Sequence, residues 1–131
     1  MPAPTIGALV LMDALEPGAA RDLLLPDQRR VALDADGYLR CLADWNETVA
    51  TLLARDAGIE LTPAHWEILH LLRQFHARFR LSPGMRPLVK FAAQTLGPEK
   101  GRSVYLLSLF PGNAALLGAR IAGLPRPENC F

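Results

Sequence analysis

The hydrophobic and polar positions of this chain change their period twice. Through the first 24 residues Ala, Gly, Pro and Leu follow one another with no sustained period, so this stretch reads as an N-terminal extension with at most one short helix. Arg30-Val31-Ala32-Leu33 then alternates polar and apolar, Asp34-Ala35-Asp36-Gly37 supplies a turn with glycine available for positive φ, and Tyr38-Leu39-Arg40 returns. That pattern predicts a hairpin. From Asp44 the period becomes helical. Asp44 with Glu47 three residues later resembles a capping box, and Val49, Leu52 and Leu53 form an apolar stripe that ends near Gly58. Thr62-Pro63 places an N-cap before a proline at the first helical position, opening a helix that runs to about Phe79. Ser82-Pro83 repeats that signal for a helix ending at Leu96-Gly97, with Pro87 in its first turn. Pro98 opens a further helical stretch to Phe110, Pro111-Gly112-Asn113 breaks it, and 114–121 reads as a last short helix. Residues 123–131, with Pro125 and Pro127, read as an exposed arm.

The expected fold is therefore mainly α: a compact helical bundle with a small N-terminal β-hairpin and a flexible C-terminal arm. The division is 1–24 as extension, 25–122 as helical domain and 123–131 as arm.

Length and composition agree with one globular domain. The chain has 131 residues, half of them hydrophobic and 21% charged, enough to bury about two-thirds of its unfolded surface without staples. No apolar run approaches the ~18 residues of a membrane span, and residues 6–12 lack the basic flank of a signal peptide. Two cysteines make no disulfide framework, so the expected compartment is reducing and cytoplasmic. The net charge of +1 conceals an asymmetry. Residues 1–70 carry five basic and eleven acidic side chains, whereas 71–131 carry nine basic ones against Glu99 and Glu128. Either the two halves attract each other within the monomer, or the basic half meets an anionic partner.

Few side chains are candidates for chemistry. A glycine-rich phosphate loop, a paired-cysteine motif and a zinc-type histidine motif are all lacking, and no cofactor is implied. His65, His70 and His76 lie on one predicted helix at spacings of five and six, which do not share a face, so packing and surface polarity suit them better than a metal. Trp45 and Trp66 sit beside helix starts as core anchors. Cys41, just after the predicted hairpin, reads as a small buried hydrophobe. Cys130, second to last in the sequence, has no packing role to explain it and is open to reaction. It lies seven positions beyond Gly123, a reach of about 23 Å if extended.

The stretches Asp36-Gly37-Tyr38-Leu39, Asp44-Trp45-Asn46, Leu61-Thr62 with His65-Trp66, and Arg86 with Leu88-Val89-Lys90 carry a resemblance. So do Leu96-Gly97-Pro98-Glu99-Lys100-Gly101, Tyr105-Leu106, Phe110-Pro111-Gly112, and Ile121-Ala122-Gly123-Leu124-Pro125-Arg126-Pro127 with Cys130. From about Leu25 to the end, the chain resembles the DsrC/TusE family of small sulfur-relay proteins. The resemblance implies a helical bundle with a small hairpin and a persulfide-carrying role for Cys130.

Two departures qualify it. DsrC proteins proper have a second cysteine eleven residues before the last, and position 119 here is Ala119. A single terminal cysteine is the TusE-like pattern, which implies sulfur accepted from a TusBCD-type complex and passed to an MnmA-type thiolase for 2-thiouridine formation in tRNA. After Phe110-Pro111-Gly112 the family usually continues with Gly-Pro-Ala-Lys-Gln, whereas this chain has Asn113-Ala114-Ala115-Leu116-Leu117. A DsrC-like role in dissimilatory sulfur metabolism without the second cysteine therefore stays open.

The expected site comprises Cys130 as the sulfur-carrying thiol, Gly123, Pro125, Arg126 and Pro127 as positioners of the arm, and Arg73, Arg78, Arg80, Arg86 and Lys90 as a basic docking face. That face would guide the chain to an acidic protein or to tRNA held by one. Helices over 62–79 and 82–96 also suit a helix-turn-helix regulator superficially. The second of them begins Pro83-Gly84-Met85-Arg86-Pro87, however, with few side chains suited to base edges, so direct DNA reading is disfavoured. No membrane partner is expected.

Overall fold

The computed structural model describes residues 21–127. Strands β1 (Arg21–Leu24) and β2 (Arg30–Leu33) are followed by a 3-10 turn at Leu42–Asp44. Five α-helices then follow: α1 (Glu47–Asp56), α2 (Pro63–Phe79), α3 (Met85–Leu96), α4 (Ser103–Leu109) and α5 (Ala114–Ile121). The mainly helical expectation holds.

The core gathers around α5. Its sequence is rich in Ala and Gly, so neighbouring helices come close: a Cβ on Gly118 would lie 2.8 Å from Leu72 Cδ1 of α2. Ala114, Ala115, Ala119 and Ile121 are fully buried among Leu53 of α1, Ile68, Leu69 and Leu72 of α2, Leu88 of α3, and Leu106 and Phe110 around α4. Among the described residues no single helix is long and apolar enough to cross a membrane. The bent pair α4–α5 passes only by combining two short helices across a 46° break.

The hairpin differs from the sequence expectation. β2 pairs antiparallel with β1, from Arg21 opposite Leu33 to Leu24 opposite Arg30. The predicted return strand 38–40 is reduced to a bridge between Leu33 and Leu39. The predicted turn itself forms: Asp34 Oδ1 accepts from the Asp36 and Tyr38 amides, and Gly37 takes φ +89°. Tyr38 and Leu39 then turn into the core, and the Tyr38 hydroxyl donates to the Leu116 carbonyl at 3.1 Å, which draws the strand away from the sheet. Residues 21–24, read from the sequence as the end of an extension, supply the missing partner.

Helix starts shift where a better cap is available. Asp44 falls in the 3-10 turn, so Asn46, with extended backbone, caps α1 through the Val49 amide at 2.9 Å. Pro83 and Gly84 precede α3, whose N-cap is Gly84 rather than Ser82. α4 begins at Ser103 rather than Pro98, and the turn before it brings Gly101 against the Ala93 backbone, where a Cβ would sit within 2.4 Å. The α2 start matches the prediction, and its N3 residue, His65, receives the Thr62 amide at Nδ1.

Candidate functional site: the root of the C-terminal arm

Cys130 lies outside the described residues, whereas the segment that leads to it in sequence is described as far as Pro127. That segment is not an exposed arm from Gly123 onward, as the prolines alone suggest. Ala122, Gly123, Leu124 and Pro127 are buried. α5 ends in a Schellman arrangement: Gly123 adopts φ +71°, its amide donates to the Arg120 carbonyl, and the Leu124 amide donates to the Ala119 carbonyl at 2.9 Å. Glycine is required at 123 twice over, since a Cβ there would also lie 2.4 Å from the Trp45 ring.

Four other elements then hold the segment. The Trp45 indole Nε1–H, at the end of the 3-10 turn, donates to the Ile121 carbonyl at 2.9 Å. Arg73 on α2 donates to the Ala122 carbonyl at 2.6 Å, with its guanidinium 4.1 Å from the Trp45 ring centroid. The hydroxyl of buried Ser82, between α2 and α3, donates to the Pro125 carbonyl at 2.5 Å. Arg126 reaches Asp36 in the turn after β2 at 3.3 Å, and both groups are exposed, so this pair adds little.

The expected basic face is thereby divided. Arg73 is half-buried and belongs to the clamp on the root, where burial lowers its pKa from the ordinary value while the guanidinium stays charged. Arg78, Arg80, Arg86 and Lys90 are exposed, and none forms an ion pair with a described carboxylate. All four expected arm positioners lie in the root: Gly123 and Pro127 buried, Pro125 and Arg126 held through its carbonyl and its guanidinium.

Arg120 packs over the turn glycine, so that a Cβ on Gly37 would lie 2.9 Å from Arg120 Nε, and it pairs with Asp56 at 2.7 Å. Together with Arg126, Tyr38, Asn113 and their neighbours it lines an open cavity of about 320 Å³ beside the root.

Among the described residues no group of three or more His, Cys, Asp or Glu is placed to hold a metal ion. His65 uses both ring nitrogens: Nε2 meets the Leu109 carbonyl at 2.8 Å, which only accepts, so Nε2 carries the hydrogen and Nδ1 accepts from Thr62. His70 stacks on Trp66 and meets Trp45 edge-on. Cys41 corrects the sequence expectation, because it is exposed on the extended residue that enters the 3-10 turn. Sequence reasoning missed the roles of Trp45, Arg73 and Ser82. Trp45 stood out only as a core anchor, and no local spacing ties it to a carbonyl 76 residues away.

Residues 26–131 match the family described as DsrC like protein. The chain belongs to the DsrC/TusE family. Among its curated relatives, Sulfurtransferase TusE of Photorhabdus laumondii is 44% identical over 109 residues, covering 83% of this chain and 98% of that protein. Sulfurtransferase TusE of Escherichia coli is 41% identical over 109 residues, 83% and 100% of the two chains. The solution structure of Allochromatium vinosum DsrC superposes with a TM-score of 0.78 at 40% identity, over 86% of this chain and 99% of that one. Oxidized DsrC from Archaeoglobus fulgidus, titled the gamma-subunit of the dissimilatory sulfite reductase, gives 0.73 at 36% identity over 84% and 99%. This DsrC/TusE chain is thus a sulfurtransferase of the sulfur-relay kind.

Two outcomes test the root. Trp45→Phe and Arg73→Met each strip a buried carbonyl of its donor, and each is expected to lower stability in urea unfolding by about 1–3 kcal/mol. Because the two side chains stack, the double variant is expected to lose less than the sum, and strict additivity would refute the shared clamp. His76 lies beside Arg73 and Arg80, and burial first and those two charges second lower its pKa below the ordinary 6.5. The unfolded chain then takes up this proton at higher pH than the folded one. Stability is therefore expected to fall as pH drops through and below about 6.5, with a shallower decline in His76→Gln, measured by unfolding midpoints across pH.

Proposed function

We propose that Cys130 is the sulfur-carrying thiol and that the sulfur is destined for 2-thiouridine in tRNA. The Cys130 thiolate attacks the terminal sulfur of a donor persulfide. A sulfur–sulfur bond forms at Cys130, the donor's own sulfur–sulfur bond breaks, and the donor cysteine leaves as a thiolate. An acceptor thiolate then takes the outer sulfur of the Cys130 persulfide in the same way, which regenerates the Cys130 thiolate. No net oxidation occurs, and the chain supplies no cofactor to the exchange. The donor in this reading is a TusBCD-type complex and the acceptor an MnmA-type thiolase with bound tRNA, all in the cytoplasm.

The observation that carries the choice is position 119. The two-cysteine chemistry implied for DsrC proteins needs a thiol there, and this chain has Ala119, fully buried on the inner face of α5. A side chain without sulfur at that point supports one-cysteine relay chemistry. The TusE names of the curated relatives support it as well. Exposed Cys41 is the internal rival for sulfur and is separated from the arm in sequence.

The test is intact-mass analysis after incubation with a cysteine desulfurase, cysteine and a sulfur-transfer partner. The wild type is compared with Cys130→Ser and Cys41→Ser. One added sulfur is expected on the wild type and on Cys41→Ser, and none on Cys130→Ser. Sulfur that persists in Cys130→Ser and disappears in Cys41→Ser would overturn the assignment.

A further inference from the structure

Building on the sulfur-carrier reading, we propose that sulfur donor and sulfur acceptor dock on one and the same face, the α2–α3 corner beside the arm root, and therefore exclude each other. The partner surface it fits is that of a protein with an apolar recess flanked by carboxylates.

The first support is reach. An arm free from Gly123 would let Cys130 sweep about 23 Å, room enough for two partners on different faces. The root forbids this. The carbonyls of Ile121, Ala122 and Pro125 accept hydrogen bonds from Trp45, Arg73 and Ser82. The Leu124 amide is bonded back into α5, and Pro127 is buried. Two residues lie between Pro127 and Cys130, so their Cα atoms can be at most about 11 Å apart. Any protein that gives sulfur to Cys130, or takes it, must bring its own reacting sulfur within reach of Pro127, set by that span plus the length of the cysteine side chain and one sulfur–sulfur bond.

The second support is the surface at that point. Ser82 is joined to the arm, and its neighbour Leu81 is 53% exposed. Phe79, two residues further back, is 46% exposed, with one side of its ring against Phe75 and Phe91 and the Arg78 guanidinium 5.2 Å from its centroid. Arg80, Arg86 and Lys90 continue the corner with cationic groups that no described carboxylate pairs. Exposed large apolar groups ringed by uncompensated cations mark an interaction site. An aliphatic leucine at the centre favours a protein surface over an RNA backbone, which offers phosphates to the arginines but nothing apolar for Leu81 to bury against.

The experiment uses the full chain with Cys130→Ser, so that no sulfur moves, titrated with the TusBCD-type donor complex and with the tRNA-bound MnmA-type thiolase, separately and together. Displacement of one by the other is expected, with no ternary complex. In the same background Leu81→Asp and Arg78→Glu are each expected to weaken both partners at least tenfold. Arg29→Glu, on the hairpin turn, is expected to weaken neither. A stable ternary complex overturns the proposal, as does loss of one partner only, or tRNA alone competing for the corner as well as the proteins do. Displacement needs no surface variant, so a misfolded Leu81→Asp does not decide the outcome. Sulfur loading of wild-type Cys130, read by mass, separates the two claims: loading together with a ternary complex removes the shared face alone, whereas no loading on Cys130 removes the carrier reading beneath it.

Discussion

Helix α5 ends in the interior, and its last carbonyls need donors that water cannot supply there. An α-helix leaves four carbonyls unpaired at its C-terminus, and leaving such a group buried and unpaired costs about 1–3 kcal/mol. The chain meets the demand from three sources: its own Schellman amides, the Trp45 indole and the Arg73 guanidinium. Each donor comes from a different element, so the end of α5 ties the 3-10 turn to α2 as well as to itself. The stacking of Arg73 on Trp45 makes the two donors one unit. Gly123 then fits beneath the indole, where no other residue would.

That constraint shapes the chemistry. In the proposed relay, sulfur exchange between cysteines needs thiolate access and little else from the carrier, so the protein's contribution there would be where the thiol is delivered. The root at 121–125 is held by Trp45, Arg73 and Ser82, while Arg78, Arg80, Arg86 and Lys90 are exposed beyond it. Arg73, grouped with them by charge, works instead on the arm's base. The positive charge of the second half thus falls into two sets, Arg73 inside the clamp and Arg78, Arg80, Arg86 and Lys90 on the surface.

The helices were legible because their signals are local. Thr62-Pro63 announces α2, and the break at Pro111-Gly112-Asn113 announces α5, whose Asn113 cap accepts from the Leu116 amide. The hairpin was half legible: the Asp34–Gly37 turn forms, but β1 comes from a stretch without alternation, where pairing with β2 overrides a weak local pattern. Its place before a proline predicts a capping role for Ser82, yet its hydroxyl serves a carbonyl 43 residues away. Residue type alone predicts a buried Cys41, whereas the structure leaves it exposed on an extended residue. The clamp depends on contacts between residues far apart in the chain, which periodicity and spacing do not encode.

The most direct measurement of the fixed root is native-state amide hydrogen exchange at Leu124, whose N–H is bonded to the Ala119 carbonyl. A root held by the Trp45–Arg73 clamp predicts that this amide exchanges with the slowest group, alongside those of the buried middle of α2, through openings close to global unfolding. Exchange at the rate of an unprotected surface loop, with the α2 amides still protected, would contradict the account and leave the arm free from Gly123 onward.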